Sequence, residues 1–152
     1  MNLLLDTNIV LNMIRAKKLN ALKSFINPDD SILYLCVVCD AELRSLSKMN
    51  KWGENRNYLM SNILDTLDII DVNNSLVDIY AEIDSYSQGK NADFDNYPFG
   101  SARNMGKNDL WIASLATLLN LKLVTTDADF DHLHKVFFEV RKIKPEEFDQ
   151  FH

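Results

Sequence analysis

The 152-residue chain has only two cysteines, four glycines and three prolines. Cys36 and Cys39 sit in one apolar stretch. They imply no disulfide framework, and a single pair two residues apart makes no zinc site without a second pair. Buried, reduced thiols are expected, which fits a cytoplasmic location. No run approaches the roughly 18 apolar residues of a membrane span. Residues 1–15 carry no basic leader and hold Asp6 inside their apolar run, so no signal peptide is expected. No glycine-rich loop with a lysine is present, which excludes a nucleotide-hydrolysing P-loop. A Ser–His–Asp hydrolase has no nucleophile elbow to support it. Glutamate is scarce as well: aspartate supplies 16 of the 22 acids and glutamate six. Glutamate favours helix interiors, whereas aspartate favours caps, turns and hard-cation sites. The acid excess therefore leans towards special positions.

What is present is ordinary globular composition, 47% hydrophobic and 25% charged. That excludes whole-chain disorder and suits one domain over residues 1–152. The net charge of −6 argues against purely electrostatic binding to nucleic acid, without excluding a local basic surface. Leu3-Leu4-Leu5 reads as a buried strand, and a helix opens at Thr7-Asn8 with Ile9, Val10, Met13 and Ile14 at helical spacing. Leu19, Leu22, Phe25 and Ile26 repeat that spacing up to Pro28. Residues 32–38 read as a second strand, followed by a helix from Asp40 through Leu46. Tyr58, Leu59, Ile63 and Leu67 mark a further helix, 69–72 a short strand, and Leu76 to Ile83 another helix. The segment 87–108 breaks the rhythm and holds three of the four glycines. An almost wholly apolar helix then runs from Asp109 to Leu119, followed by a strand at 121–126 and an edge strand at 136–140. This alternation predicts an α/β domain with a mostly parallel sheet.

Asp6 and Asp127 stand directly after predicted strands, and Glu42 and Asp109 stand at or near the starts of helices. Ligands of open parallel sheets bind at the carboxyl ends of the strands. If those helices begin at that same edge, four carboxylates converge. They cannot share a small site as bare anions. A divalent cation resolves the repulsion, and oxygen-only ligands favour Mg2+ or Mn2+. Each acid also has an ordinary reading. Asp6 and Asp127 serve equally as caps or turn residues, Asp109 as a first-turn acid beside Asn108, and Glu42 as an exposed helix residue.

Four motifs occur in order: Leu4-Leu5-Asp6-Thr7-Asn8-Ile9, Ala41-Glu42-Leu43, Asn108-Asp109-Leu110-Trp111-Ile112-Ala113, and Leu123-Val124-Thr125-Thr126-Asp127-Ala128-Asp129-Phe130. Together they resemble the PIN-domain ribonucleases, most closely the VapC-type toxins of toxin–antitoxin pairs. The resemblance implies a three-layer α/β/α fold around a short, mostly parallel sheet. It implies an endoribonuclease with Asp6, Glu42, Asp109 and Asp127 as the catalytic acids holding Mg2+ or Mn2+. Thr7, Asn8, Asn108 and Thr125 would be supporting polar residues. Asp129 would either help bind metal or cap its turn, and Asp127, nearer the strand end, is favoured. Implied partners are RNA, a cognate antitoxin and a second copy of the chain, for which the apolar helix face 59–67 is a candidate. No membrane is implied.

The segment before Asn108 departs from many relatives by an extra stretch, 94–99. There Tyr97 and Phe99, with Arg103 and Lys107, could stack on bases and hold phosphate. Packing of these aromatics onto the domain itself is the favoured reading. Other basic residues gather at 15–18, 44–56 and 135–144, near the site or as solvated surface. His132 and His134 are expected at the surface or in turns. The cluster 127–131 is no calcium loop, because His132 and Phe138 stand where such a loop needs Gly and Glu. An aspartyl-phosphate phosphatase would need a second Asp where Asn8 stands. Two alternatives share the fold: a binding module that holds RNA or protein without cutting, and a housekeeping RNA-processing nuclease.

Overall fold

The computed structural model describes residues 1–152. Strand β1 (Leu3–Leu5) leads into helix α1 (Thr7–Arg15), and α2 (Leu19–Ile26) precedes β2 (Leu33–Cys36). Helices α3 (Val37–Met49) and α4 (Glu54–Leu64) come before β3 (Asp68–Ile70). Then follow α5 (Val77–Ser87), a long irregular segment, α6 (Lys107–Leu119), β4 (Lys122–Thr125) and β5 (Val140–Lys142). Short 3-10 helices occupy Asn74–Leu76, Ala128–Leu133 and Pro145–Phe151.

The sheet order is β3-β2-β1-β4-β5, with every neighbouring pair parallel. It is therefore wholly rather than mostly parallel, inside the expected three-layer α/β/α architecture. All of β1 is buried, as a central parallel strand covered on both faces must be. Leu5 pairs with Leu35 on one side and Val124 on the other. The chain steps one way from β1 to β2 and β3, then the other way to β4. That reversal opens a crevice beyond the carboxyl ends of β1 and β4, where open α/β sheets bind ligands.

Several boundaries differ from the sequence reading. Helix α3 begins at Val37, directly after β2, so Cys39 is helical and the strand is shorter than 32–38. Helix α6 begins at Lys107 with Gly106 as its extended N-cap, so Asp109 falls within the first turn. It ends at Asn120, whose φ of 51° reverses the chain into β4. The strand expected at 136–140 forms instead at Val140–Lys142, because the preceding residues serve a tight turn in which Lys135 N donates to the Phe138 carbonyl. The face proposed for a second copy is largely consumed by the core: Met60, Ile63, Leu64 and Leu67 are buried, and Leu59 is partly buried against it. Both cysteines are free and buried, and burial raises both thiol pKa values. No helix is long and apolar enough to cross a membrane.

Candidate active site

Asp6 follows β1 and caps α1, its Oδ1 accepting from Thr7 N at 2.8 Å. Its Oδ2 accepts from the buried Thr125 hydroxyl at 2.7 Å. Thr125 ends β4 and in turn accepts from Asp127 N at 3.0 Å. One threonine thus ties the ends of two neighbouring strands. Asp6 is buried, and that burial raises its carboxyl pKa above the usual range, with Glu42 and Asp127 adding repulsion and the two hydrogen bonds opposing it.

Glu42, in the second turn of α3, is held from two elements. Thr7 Oγ1 donates to its Oε2 at 3.1 Å, and Asn108 Nδ2 donates to its Oε1 at 3.0 Å. Thr7, Asn108 and Thr125 thus each hydrogen-bond one of these two carboxylates. Asn8 does not: it is exposed, and its backbone carbonyl merely accepts from Asn12.

Asp109, Asp127 and Asp129 each offer a carboxylate oxygen within 4.8 Å of the others. The sequence reading favoured Asp127 over Asp129, yet the 3-10 helix after Asp127 folds both acids towards Asp109. Asp127 Oδ1 accepts from Asp129 N at 2.9 Å and caps that helix. The Asp109 pKa is raised to about 7, first by burial and then by Asp6, Asp127, Asp129 and Glu42. The chain's ion pairs are Arg44–Asp40, Lys122–Glu139 and Lys142–Asp131, so none of the five site acids has a cationic partner. An oxygen-only set whose members repel one another fits a hard divalent cation. A groove of about 370 Å3 runs beside it, lined by Val38, Glu42, Leu46, Met49 and Asn108 among others.

The aromatic segment packs on the domain. Tyr86 is the hub, with ring centroids of Phe94, Tyr97, Phe99 and Phe137 at 4.6–5.6 Å. The Tyr97 hydroxyl donates to the Asn91 carbonyl and accepts from Asn91 N. Arg103 and Lys107 remain exposed, and the Arg103 guanidinium lies 6.0 Å from the Phe99 ring centroid. Of the other basic residues, Arg141 is structural, donating to the Phe25 and Ile26 carbonyls that end α2. His134 is exposed, as expected, with Nδ1 accepting from Val140 N. His132 is half-buried in the 3-10 helix Ala128–Leu133, with Nε2 2.8 Å from Ser87 Oγ. Its pKa is lowered by burial and by Arg103. No sequence signal pairs it with Ser87, which is 45 positions away.

The chain is thus a parallel α/β domain with an acidic cluster at the switch point of its sheet, an arrangement that suits a hard cation. The family model of the PIN domain matches residues 3–136, and the chain belongs to that family. Similar solved structures share the fold. VapBC2 from Rickettsia felis, bound to a DNA fragment from its promoter, aligns with a TM-score of 0.72 at 22% identity, covering 93% of this chain and 98% of that one. FitAcB from Neisseria gonorrhoeae aligns at 0.64 and 23% identity, covering 91% and 95%. VapBC-5 from Mycobacterium tuberculosis, of the VapBC family of toxin–antitoxin systems, aligns at 0.58 and 23% identity, covering 93% and 96%. No curated protein matches the chain.

Proposed function

We propose that this chain is an endoribonuclease that hydrolyses RNA phosphodiesters with Mg2+ or Mn2+, and that it is the toxin of a toxin–antitoxin pair. The observation that carries the reading is the group Asp109, Asp127 and Asp129, backed by Asp6 and Glu42, with no cationic side chain to balance it. Asp6, Glu42, Asp109 and Asp127 are the residues that would hold the ion, with Asp129 as a fifth donor. When bound, the ion supplies Lewis-acid activation of water and charge stabilisation at phosphorus.

The chain's own residues do the rest. Thr125 and the Thr7 amide fix the Asp6 carboxylate, while Thr7 and Asn108 fix that of Glu42. Pre-set oxygens need little reorganisation on binding. Asp109 gives up its proton when it becomes a ligand, since ligating carboxylates are ionised. Lys107, exposed at the start of the helix that carries Asp109, and Arg103 offer phosphate contacts. Tyr97 and Phe99 are left out of RNA contact because their rings pack against Tyr86.

Two features support the biological role: a single-domain length and likeness in fold to the toxin–antitoxin complexes above. By that likeness the chain has a cognate antitoxin. The groove beside Glu42 leads a partner segment to the acids, where a basic side chain would satisfy them. A homodimer belongs to the same reading, and its test is the mass in solution. The function is tested with purified chain and RNA: cleavage requires Mg2+ or Mn2+ and stops with EDTA or Asp6→Asn. Growth arrest on expression, relieved by the product of an adjacent short reading frame, supports the toxin role. Cleavage without growth arrest points to a housekeeping nuclease instead.

A further inference from the structure

We propose that His132 is a positioning residue: it anchors the 3-10 helix that carries Asp129 to the buried hydroxyl of Ser87. This rests on the reading of the acid group as a cation site.

Ser87 is the last residue of α5 and is fully buried. Its Oγ lies 2.8 Å from His132 Nε2, with Met105 Sδ at 3.4 Å, and its carbonyl accepts from Arg103 N at 2.7 Å. Ser87 therefore closes the base of the 88–106 segment and presents its hydroxyl to the imidazole. His132 lies in the same 3-10 helix as Asp129, Ala128–Leu133, so this contact ties that helix to the end of α5. The Asp129 amide donates to Asp127 Oδ1 at 2.9 Å. The 3-10 helix is thus held at its start by the Asp127 carboxylate and near its end by the imidazole on Ser87. From Asp127 the chain of bonds continues through Thr125 Oγ1 to Asp6 Oδ2. The imidazole itself is clamped: it lies parallel to Tyr86 at 6.4 Å and edge-on to Phe99 at 5.6 Å. The extra segment thus has an assignable purpose. It stiffens a turn carrying two of the three most closely grouped acids, by way of one side chain that touches neither substrate nor metal.

Partners that orient metal ligands typically change affinity by about 10–100-fold when removed. His132 acts through the backbone, so the low end is expected. Mn2+ binding to the full chain is measured by titration calorimetry, with melting temperature recorded beside it. His132→Ala weakens Mn2+ about tenfold. His132→Gln, whose amide reaches the place of Nε2, recovers most of the loss. Phe151→Leu, which loosens the packing on Phe25 away from this turn, lowers the melting temperature and leaves Mn2+ affinity unchanged. Equal affinity in His132→Ala and the parent overturns the inference, as does an equal loss in Phe151→Leu. A parent chain that binds no Mn2+ overturns the cation site itself, and the inference with it.

Discussion

The two sides of the acidic crevice are built differently. On one side, Asp6 and Glu42 have all four carboxylate oxygens engaged by hydrogen bonds from Thr7, Thr125 and Asn108. On the other side, Asp109, Asp127 and Asp129 turn oxygens towards one another, and the one hydrogen bond among them is donated by a backbone amide of the group. The first side is satisfied without a ligand. The second is not, and its frustration is concentrated on Asp109, whose pKa rises to about 7. On the proposed reading, such an arrangement pre-orients one set of donors and leaves the other for a cation to complete.

The contrast can be broken in five ways. The largest effect is expected from Asp109→Asn. Losing several kcal/mol of charge stabilisation corresponds to about a 1000-fold or greater fall in RNA cleavage rate. Next, Thr125→Val removes the hydroxyl shared by Asp6 and Asp127 and leaves a buried carboxylate short of a donor. A cost of about 2 kcal/mol follows. In a domain of this size that is a fall of roughly 4–8 °C in melting temperature. A smaller loss of activity accompanies it.

Third, Mn2+ competes with the proton on Asp109. Affinity measured by calorimetry should rise as pH climbs towards about 7 and level off above it. Fourth comes a sign test. The folded Asp109 pKa lies above its unfolded value, so its contribution to metal-free stability is fully present below the unfolded pKa of 3.8 and lost as pH rises through about 7. Asp109→Asn should therefore melt higher than the parent at pH above 7 without metal. Because the group is only half-buried, screening holds the gain to about 1 kcal/mol, or roughly 2–4 °C. The smallest effect is expected from Tyr97→Phe. Loss of its hydroxyl bonds to Asn91 costs about 1 kcal/mol or less and leaves cleavage unchanged.

The satisfied side of the site was the more legible in sequence. Asp6, Thr7, Glu42, Asn108 and Thr125 lie in short motifs at strand ends and helix starts, where local spacing and topology already say which edge they reach. The frustrated side was less so. Whether Asp129 joins Asp127 depends on the 3-10 helix Ala128–Leu133, which no periodicity marks. His132 and Ser87 were invisible because their contact is long-range and each residue looks ordinary alone. The alternation of strands and helices followed from the apolar segments, but β5 was displaced because residues 136–138 lie in the turn closed by Lys135 N and the Phe138 carbonyl, with Phe137 against Tyr86. The apolar α4 face was read as available because periodicity reports that a face is buried without saying against what.

The central claim is that Asp109 and its neighbours form a cation site that hydrolyses RNA. The most direct measurement follows cleavage of labelled RNA by the purified chain with Mn2+, after EDTA, and in Asp109→Asn. Cleavage with Mn2+ alone, lost in the other two, is the predicted result. Cleavage that persists in EDTA or in Asp109→Asn would contradict it.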